Sequence, residues 1–269
     1  LRPVFFVCPI ALSFALVTDD RARIRALLET DRGWAVYALG DLEPPQAAFA
    51  EWRLAPGGGA LVLLYREFGV PVLFTFGPPA EVAPLVNALA EGEVYLLIRP
   101  DSLPLVEACF TVRDLTDMRR MLLDPAAFAR PNGAGVARLN EGDFAALEAL
   151  YADGADSHEA PDFFYRQHLE RGMFCGVREG ERLVAAAGTH LVSPALGLGT
   201  IGNVYVRRDR RGRGLGQLVT AAVTAELLAL GLITIALNVR ADNVVAMRVY
   251  EKLGFRHYCS FYEGVAVRR

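Results

Sequence analysis

Residues 204–217 read Val204-Tyr205-Val206-Arg207-Arg208-Asp209-Arg210-Arg211-Gly212-Arg213-Gly214-Leu215-Gly216-Gln217. A strand-forming run passes into a Gly- and Arg-rich turn, and the turn opens into an amphipathic helical segment that reaches Leu230. Glycine lets the backbone approach a ligand closely, because no Cβ stands in the way. Successive N–H groups at such a turn and at a helix N-terminus point at one spot, where the helix dipole places about half a positive charge. Arg211 and Arg213 add formal charge there, which makes the turn a diphosphate cradle. The dinucleotide fingerprint is absent, since Gly212, Gly214 and Gly216 recur at every second position, and so is the P-loop lysine followed by Ser or Thr. The competing reading is an ordinary tight turn with arginines on a solvated face.

Working outward, Leu183 to Val192 and Thr200 to Val206 read as strands, Gly214 to Leu230 as a long helix and Ile233 to Val239 as a short apolar strand. Asn243 to Leu253 reads as a second helix ended by Gly254, and His257 to Val267 as a strand. Upstream, Val136 to Leu139 begins a strand, and Asn140 or Asp143 caps a helix through about Tyr151. The first half repeats this order with different residues: strands at Leu61 to Tyr65 and Val70 to Phe76, a helix at Glu81 to Ala90, a strand at Val94 to Ile98, a helix at Leu103 to Cys109, then extended chain from Val112. The repeat predicts an α/β (α+β) fold of two tandem units, each a mixed, mostly antiparallel sheet flanked by helices. Linker-type residues crowd between Pro125 and Gly135, which places the units at 1–130 and 135–269.

Residues 200–257 resemble the GCN5-related N-acetyltransferases (GNAT). Their signature Arg/Gln-x-x-Gly-x-Gly/Ala is matched by Arg211, Gly214 and Gly216, and their second signature by Asn243-Val244-Val245-Ala246-Met247-Arg248-Val249-Tyr250-Glu251-Lys252-Leu253-Gly254-Phe255. The stretch Ile201-Gly202-Asn203-Val204-Tyr205 is similar to the FR47-like, glycine N-acyltransferase-like branch. The resemblance is strong over about sixty residues, fair back to about residue 136 and architectural before that. It implies that the strand before the cradle splays from its neighbour, so that Val204, Tyr205 and Val206 meet the pantetheine arm of acetyl-CoA through their backbone. The amides of Arg211, Gly212, Arg213, Gly214, Leu215, Gly216 and Gln217 would hold the pyrophosphate. Asn243 would cap its helix and reach the pantetheine or phosphate region, and Tyr250 would protonate the leaving thiolate. A phenol of ordinary pKa about 10 suits that role, while packing on a helix face is the other reading of Tyr250.

The general base stays open. Many relatives carry a carboxylate on the strand before the cradle, but residues 200–206 contain none. Candidates are His190, Glu159, His158 and a relayed water; a histidine titrates in the useful range. The loop Asp153 to Asp162 is acidic and suited to a cationic amine.

In the first half, the position equivalent to the cradle reads Gly77-Pro78-Pro79-Ala80, where two prolines offer no N–H and no arginine stands nearby. One active site per chain is therefore expected, with the first unit walling the acceptor pocket; Trp34, Trp52 and Tyr37 are wall candidates or core residues. With 269 residues, 53% of them apolar, the chain can fill a core in each unit, and a net charge of −3 gives no global pull toward nucleic acid. Lys252 is the one lysine, a bias that codon usage in a GC-rich bacterial genome explains. Cys8, Cys109, Cys175 and Cys259 form no metal or disulfide pattern, which suits free thiols in a cytoplasmic protein. The apolar run Val4 to Val17 is too short for a comfortable membrane span and lacks a small-x-small cleavage site; it reads as a first strand or as translation from too early a start. The expected protein is a monomer or homodimer, binding no metal, nucleic acid or membrane, that moves an acetyl or short acyl group from acyl-CoA to the primary amine of a small molecule or amino acid. The alternatives are a non-catalytic acyl-CoA sensor and a nucleic-acid contact through Arg207 to Arg213.

Overall fold

The computed structural model describes residues 16–133, 135–157, 159–161 and 164–269. Most of the run Val4 to Val17, together with Cys8, His158 and Asp162, lies outside them. The first unit contains β1 (Leu16–Val17), α1 (Arg21–Leu28), α2 (Val36–Gly40), β2 (Ala50–Leu54), β3 (Leu61–Tyr65), β4 (Val72–Phe76), α3 (Pro79–Asn87), β5 (Glu93–Ile98), α4 (Leu103–Cys109) and β6 (Phe110–Leu123). The second contains β7 (Val136–Leu139), α5 (Phe144–Tyr151), α6 (Arg166–Arg171), β8 (Phe174–Glu179), β9 (Arg182–Ser193) and β10 (Leu198–Val206). It continues through α7 (Leu215–Ala229), β11 (Thr234–Arg240), α8 (Val244–Lys252) and β12 (Phe255–Arg268).

Among the described residues the strands form one mixed sheet in the order β1-β2-β3-β4-β5-β12-β6-β11-β10-β9-β8-β7. Its centre is an exchange. β6 and β12 pair antiparallel from Phe110↔Arg268 to Leu123↔Phe255. The later half of β12, Tyr262 to Val267, also pairs with β5, and the later half of β6, Met118 to Leu122, also pairs with β11. Each unit therefore receives one strand segment from the other, and its sheet is incomplete without it. The expected tandem α+β architecture is present, joined more closely than a linker alone would join it.

Alternation along the strands splits the cores between the two faces, because successive side chains point to opposite sides. Leu61 and Leu63 pack with α1 and α2 beneath Trp34 and Phe74, while Val62 and Leu64 pack with α3 and α4. In the second unit Ala185 and Ala187 meet α7 and α8, and Leu183 and Ala186 meet α5 and α6. Trp34 and Trp52 are both core residues. The N-capping that the sequence suggests is present twice. Asn140 and Asp143 form a capping box, and Asn243 Oδ1 accepts the Ala246 N–H at 3.0 Å.

Where the units meet, Arg120 of β6 is fully buried. Its Nε donates to Asn238 Oδ1 at 3.0 Å, and another guanidinium nitrogen donates to the Trp34 carbonyl. The guanidinium carbon lies 4.9, 5.1 and 5.1 Å from the ring centres of Trp34, Tyr37 and Phe261. A cation held in a cage of aromatic faces and carbonyls keeps part of what it loses on leaving water. Because β6 and β12 belong to both sheets, the two units should unfold in one cooperative transition. Calorimetry is expected to show a single peak, and fragments 1–130 and 135–269 expressed separately should each lack slow-exchanging amides; two independent transitions would contradict the exchange.

Candidate active site

The site begins where β10 leaves β11. Their parallel ladder runs from Leu198↔Thr234 to Ile201↔Leu237 and stops, although β10 continues to Val206 and β11 to Arg240. Residues 202–206 thus carry backbone groups that pair with β9 on one side only. Two bulges shape this region. Thr200 pairs with Leu191 and Ile201 with Thr189, which leaves His190 as the extra residue of β9. Gly202 pairs with Gly188 and Tyr205 with Ala186, so Asn203 and Val204 together face one residue. Asn203 has φ +52, a left-handed conformation that Asn tolerates better than most residues, and its carbonyl accepts the Tyr151 hydroxyl at 2.9 Å. Bulges of this kind bend a strand and re-aim side chains.

The cradle follows. Gly214 caps α7 with φ +76, Gly212 has the same φ, and a Cβ at either would meet nothing within 4 Å. The glycines are thus conformationally required, and open space lies before the first turn of a helix of 15 residues. This is the shape and polarity that a diphosphate needs. Asp153 pins the approach to the turn: it accepts the Arg208 N–H at 2.9 Å and the Tyr205 hydroxyl at 3.1 Å, and pairs with Arg207 at 3.0 Å. The first of these bonds, with help from Tyr205 and Arg207, holds its carboxyl below the usual range.

The arginines are already matched. Arg211 pairs with Glu159 at 2.9 Å, Arg208 with Glu159 at 3.0 Å, and Arg213 stands 4.0 Å from Glu179. The charge expected at the cradle is therefore partly balanced in the resting protein, and Glu159 sits at its rim as a counter-ion. Tyr250 lies on the buried face of α8, edge-on to Phe255, and burial pushes its phenol up to about 12. Cys175 is buried and its thiol is raised by that burial, so it is poorly suited to a covalent relay. Among the described residues no cluster of three or more His, Cys, Asp or Glu could hold a metal, and no helix is long and apolar enough to cross a membrane.

His190 connects the parted strand to a cavity of about 300 Å³ between the two units. A Cβ on Gly202 would lie 2.2 Å from two atoms of the imidazole, so the ring rests directly on β10. Burial and the neighbouring His168 lower its pKa to about 4. From the first unit Tyr37, Asp41, Tyr65 and Glu67 line the cavity, and from the second His168 and Arg171. Glu67 pairs with Arg171 at 2.7 Å, and Phe68 stacks on Tyr165 at 4.7 Å, which closes one wall across the units. Burial, with the nearby Glu67 carboxylate, holds the Asp41 carboxyl well above its ordinary pKa. Tyr37, a wall candidate from the sequence, is among the lining residues. Nothing in the sequence marks Asp41, Tyr65, Glu67 or His168, because they converge on the cavity only where the two units meet.

Residues 136–255 match the family model described as the Acetyltransferase (GNAT) family. A mycothiol acetyltransferase of Thermomonospora curvata is 33% identical over 264 residues, covering 91% of this chain and 83% of its own. With the mycothiol acetyltransferase of Tsukamurella paurometabola, 34% identical, the match covers 55% of this chain and 57% of the relative; the chain spans about half the length of several such relatives. Among solved structures, a tandem GNAT protein from the clavulanic acid biosynthesis pathway superposes with a TM-score of 0.58 at 15% identity, over 94% of this chain and 97% of that one. The chain belongs to the GNAT acetyltransferase family.

Two substitutions should move coenzyme A affinity in opposite directions. Gly214→Leu adds a side chain at a left-handed position, which costs about 1–2 kcal/mol, and obstructs the cradle; calorimetry should show binding weakened at least tenfold. Glu159→Gln removes a competing anion from Arg211, so binding should tighten a few-fold at low salt and lose that gain at high salt.

Proposed function

We propose that the protein is an N-acyltransferase that moves an acetyl or short acyl group from acyl-CoA to the primary amine of a small molecule, by direct attack in a ternary complex. One observation carries this reading: β10 parts from β11 at the place where an open helix N-terminus lies on one side and, on the other, a cavity that His190, His168 and Glu67 line. Acyl-CoA supplies an activated thioester when bound. The amides from Arg211 to Gln217 would hold its pyrophosphate, the one-sided backbone of Val204, Tyr205 and Val206 its pantetheine arm, and Asn243 the edge of that channel. A backbone N–H between Val204 and Val206 would polarise the thioester carbonyl.

The acceptor amine would enter from the cavity, where Glu67, paired at rest with Arg171, is the nearby carboxylate and the raised Asp41 carboxyl offers a hydrogen bond without charge. Several relatives are named mycothiol acetyltransferases, which supports an acceptor of that class. Unit 135–269 would carry the whole acyl-CoA site, and unit 1–130, whose equivalent turn begins its helix at Pro79, would supply the cavity wall.

His190 is the base this arrangement favours. At neutral pH it is uncharged and holds a lone pair, whereas Glu159 is committed to two arginines; the lowered pKa of the imidazole makes it a weak base that acts by position, from which the proton must pass on to water. Tyr250 suits hydrogen-bond donation to the departing sulfur better than full proton transfer. With its phenol at about 12, transfer to a thiolate of ordinary pKa near 8.5 is uphill by roughly 5 kcal/mol. The sensor reading keeps one observation in its favour, since β10 carries no carboxylate.

Thiol release from acetyl-CoA over a panel of amines separates the readings. Turnover with at least one amine is expected; Tyr250→Phe should lower kcat at least about tenfold while coenzyme A affinity holds. Coenzyme A binding without turnover on any amine would favour the sensor.

His190 also fixes a pH dependence. Its folded pKa lies below the unfolded value of 6.5, so as pH falls from 6.5 toward 4 the unfolded chain takes up a proton that the fold refuses. The His190 contribution to stability should be lost across that window, and His190→Gln should flatten the drop there in denaturant titrations. The acid limb of kcat should likewise fall near pH 4, well below that of an ordinary histidine.

A further inference from the structure

The imidazole of His190 touches both units. Its Nδ1 lies 3.2 Å from the Tyr37 hydroxyl of α2, while its ring rests on Gly202 of β10, where a Cβ would come within 2.2 Å of Nε2. The Tyr37 ring is held from another side by the buried Arg120, whose guanidinium carbon is 5.1 Å from the ring centre. Beside the phenol stands Thr200, fully buried, whose hydroxyl completes no hydrogen bond among the described residues. A buried orphan hydroxyl calls for a partner, and the Tyr37 O–H is the donor that stands next to it.

We propose that Tyr37 is a positioning residue for the acyl transfer set out above, on which this inference rests: its oxygen accepts the Nδ1–H of His190, its own proton turns toward Thr200, and Nε2 keeps the lone pair that takes the acceptor's proton. The uncharged amine nitrogen, its ammonium proton already lost to water, forms its bond to the acyl carbon as the carbon–sulfur bond breaks, with that electron pair leaving on sulfur. The nitrogen's surplus proton passes to Nε2 and from there to water. A neutral histidine carries one proton on two nitrogens, and a hydrogen bond at one nitrogen decides the state of the other.

Burial keeps the phenol above its ordinary pKa, so Tyr37 remains protonated and serves as a hydrogen-bonding partner without charge. The other groups facing the imidazole are His168 of α6, with ring centres 5.3 Å apart, and the buried Asn203 of β10; Glu67 stands behind His168. Neither amide atom of the Asn203 side chain completes a hydrogen bond among the described residues, yet it stands close enough to the imidazole to favour the charged form, so it offers an acceptor when the imidazole becomes charged. The first unit then does more than wall the cavity: it sets the state of the base.

Nitrogen-15 NMR of full-length protein labelled at histidine tests this, with His190 assigned through His190→Gln. The resting ring should show a protonated Nδ1 and an unprotonated Nε2. Tyr37→Phe should move the population toward Nε2–H and lower kcat at least about tenfold, with the acceptor KM within about twofold. Thr200→Val, close in volume, should shift the tautomer in the same direction and serves as the deciding variant if Tyr37→Phe fails to fold. A resting ring protonated at Nε2 overturns the proposal, and so does a Tyr37→Phe protein of unchanged tautomer and kcat whose acceptor KM rises. The ring is read without any acceptor, so absence of turnover on every amine would defeat the acyl-transfer reading while leaving the tautomer result to decide this one.

Discussion

The pairing of β6 with β12 is the constraint on which the rest of the molecule depends. From Phe110↔Arg268 to Leu123↔Phe255 the two strands run side by side, and each then lends half its length to the sheet of the other unit. An interface between domains that merely touch is small and polar and leaves relative motion as the default. Here the contact is backbone ladder and continuous core, with Arg120 caged by Trp34, Tyr37 and Phe261 at its centre. The cavity walls from the two units are thereby fixed relative to one another, which a site needing close placement of reacting groups requires.

The second constraint is the parting of β10 from β11. A sheet satisfies its backbone groups by pairing, and an interior strand that stops pairing leaves donors and acceptors in want of partners. Residues 202–206 have left the β11 ladder, with the Asn203 carbonyl taken by the Tyr151 hydroxyl and the Val206 carbonyl by Arg211, and are bent by the bulge at Asn203 and continued by a helix N-terminus that glycines leave open. Around it the electrostatics are balanced at rest. With Arg208 and Arg211 paired to Glu159, and Arg210 to Glu179 at 2.8 Å, a diphosphate arriving there would exchange one set of anions for another. Main-chain donors at the helix N-terminus would account for selectivity better than the arginine count does.

Much of the catalytic unit was legible in the sequence because its signals are local. Helix α7 lies within the expected Gly214–Leu230 and α8 within Asn243–Leu253, with the cap at Asn243. The Gly77-Pro78-Pro79 turn likewise gives a helix whose first residue is proline. The strand exchange was not legible, since periodicity reports which face of a strand is buried and says nothing of which strand lies beside it. Strand β8 and the early helices α1 and α2 also went unread, being short or lacking a clean alternation. The cavity escaped for a related reason: Tyr37, Glu67, His168 and His190 are far apart in the chain, and nothing in one sequence marks them as neighbours. Arg211 and Glu159, 52 residues apart, suggest a cationic ligand and a base when met in sequence, and the fold brings them into one ion pair.

Amide hydrogen exchange with and without acetyl-CoA tests the central claim most directly. Protection should appear at Val204–Val206 and across Arg211–Gln217, with no change at the corresponding turn of the first unit around Gly77–Ala80. Unchanged exchange at the β10–α7 junction, or protection centred on the first unit, would contradict it.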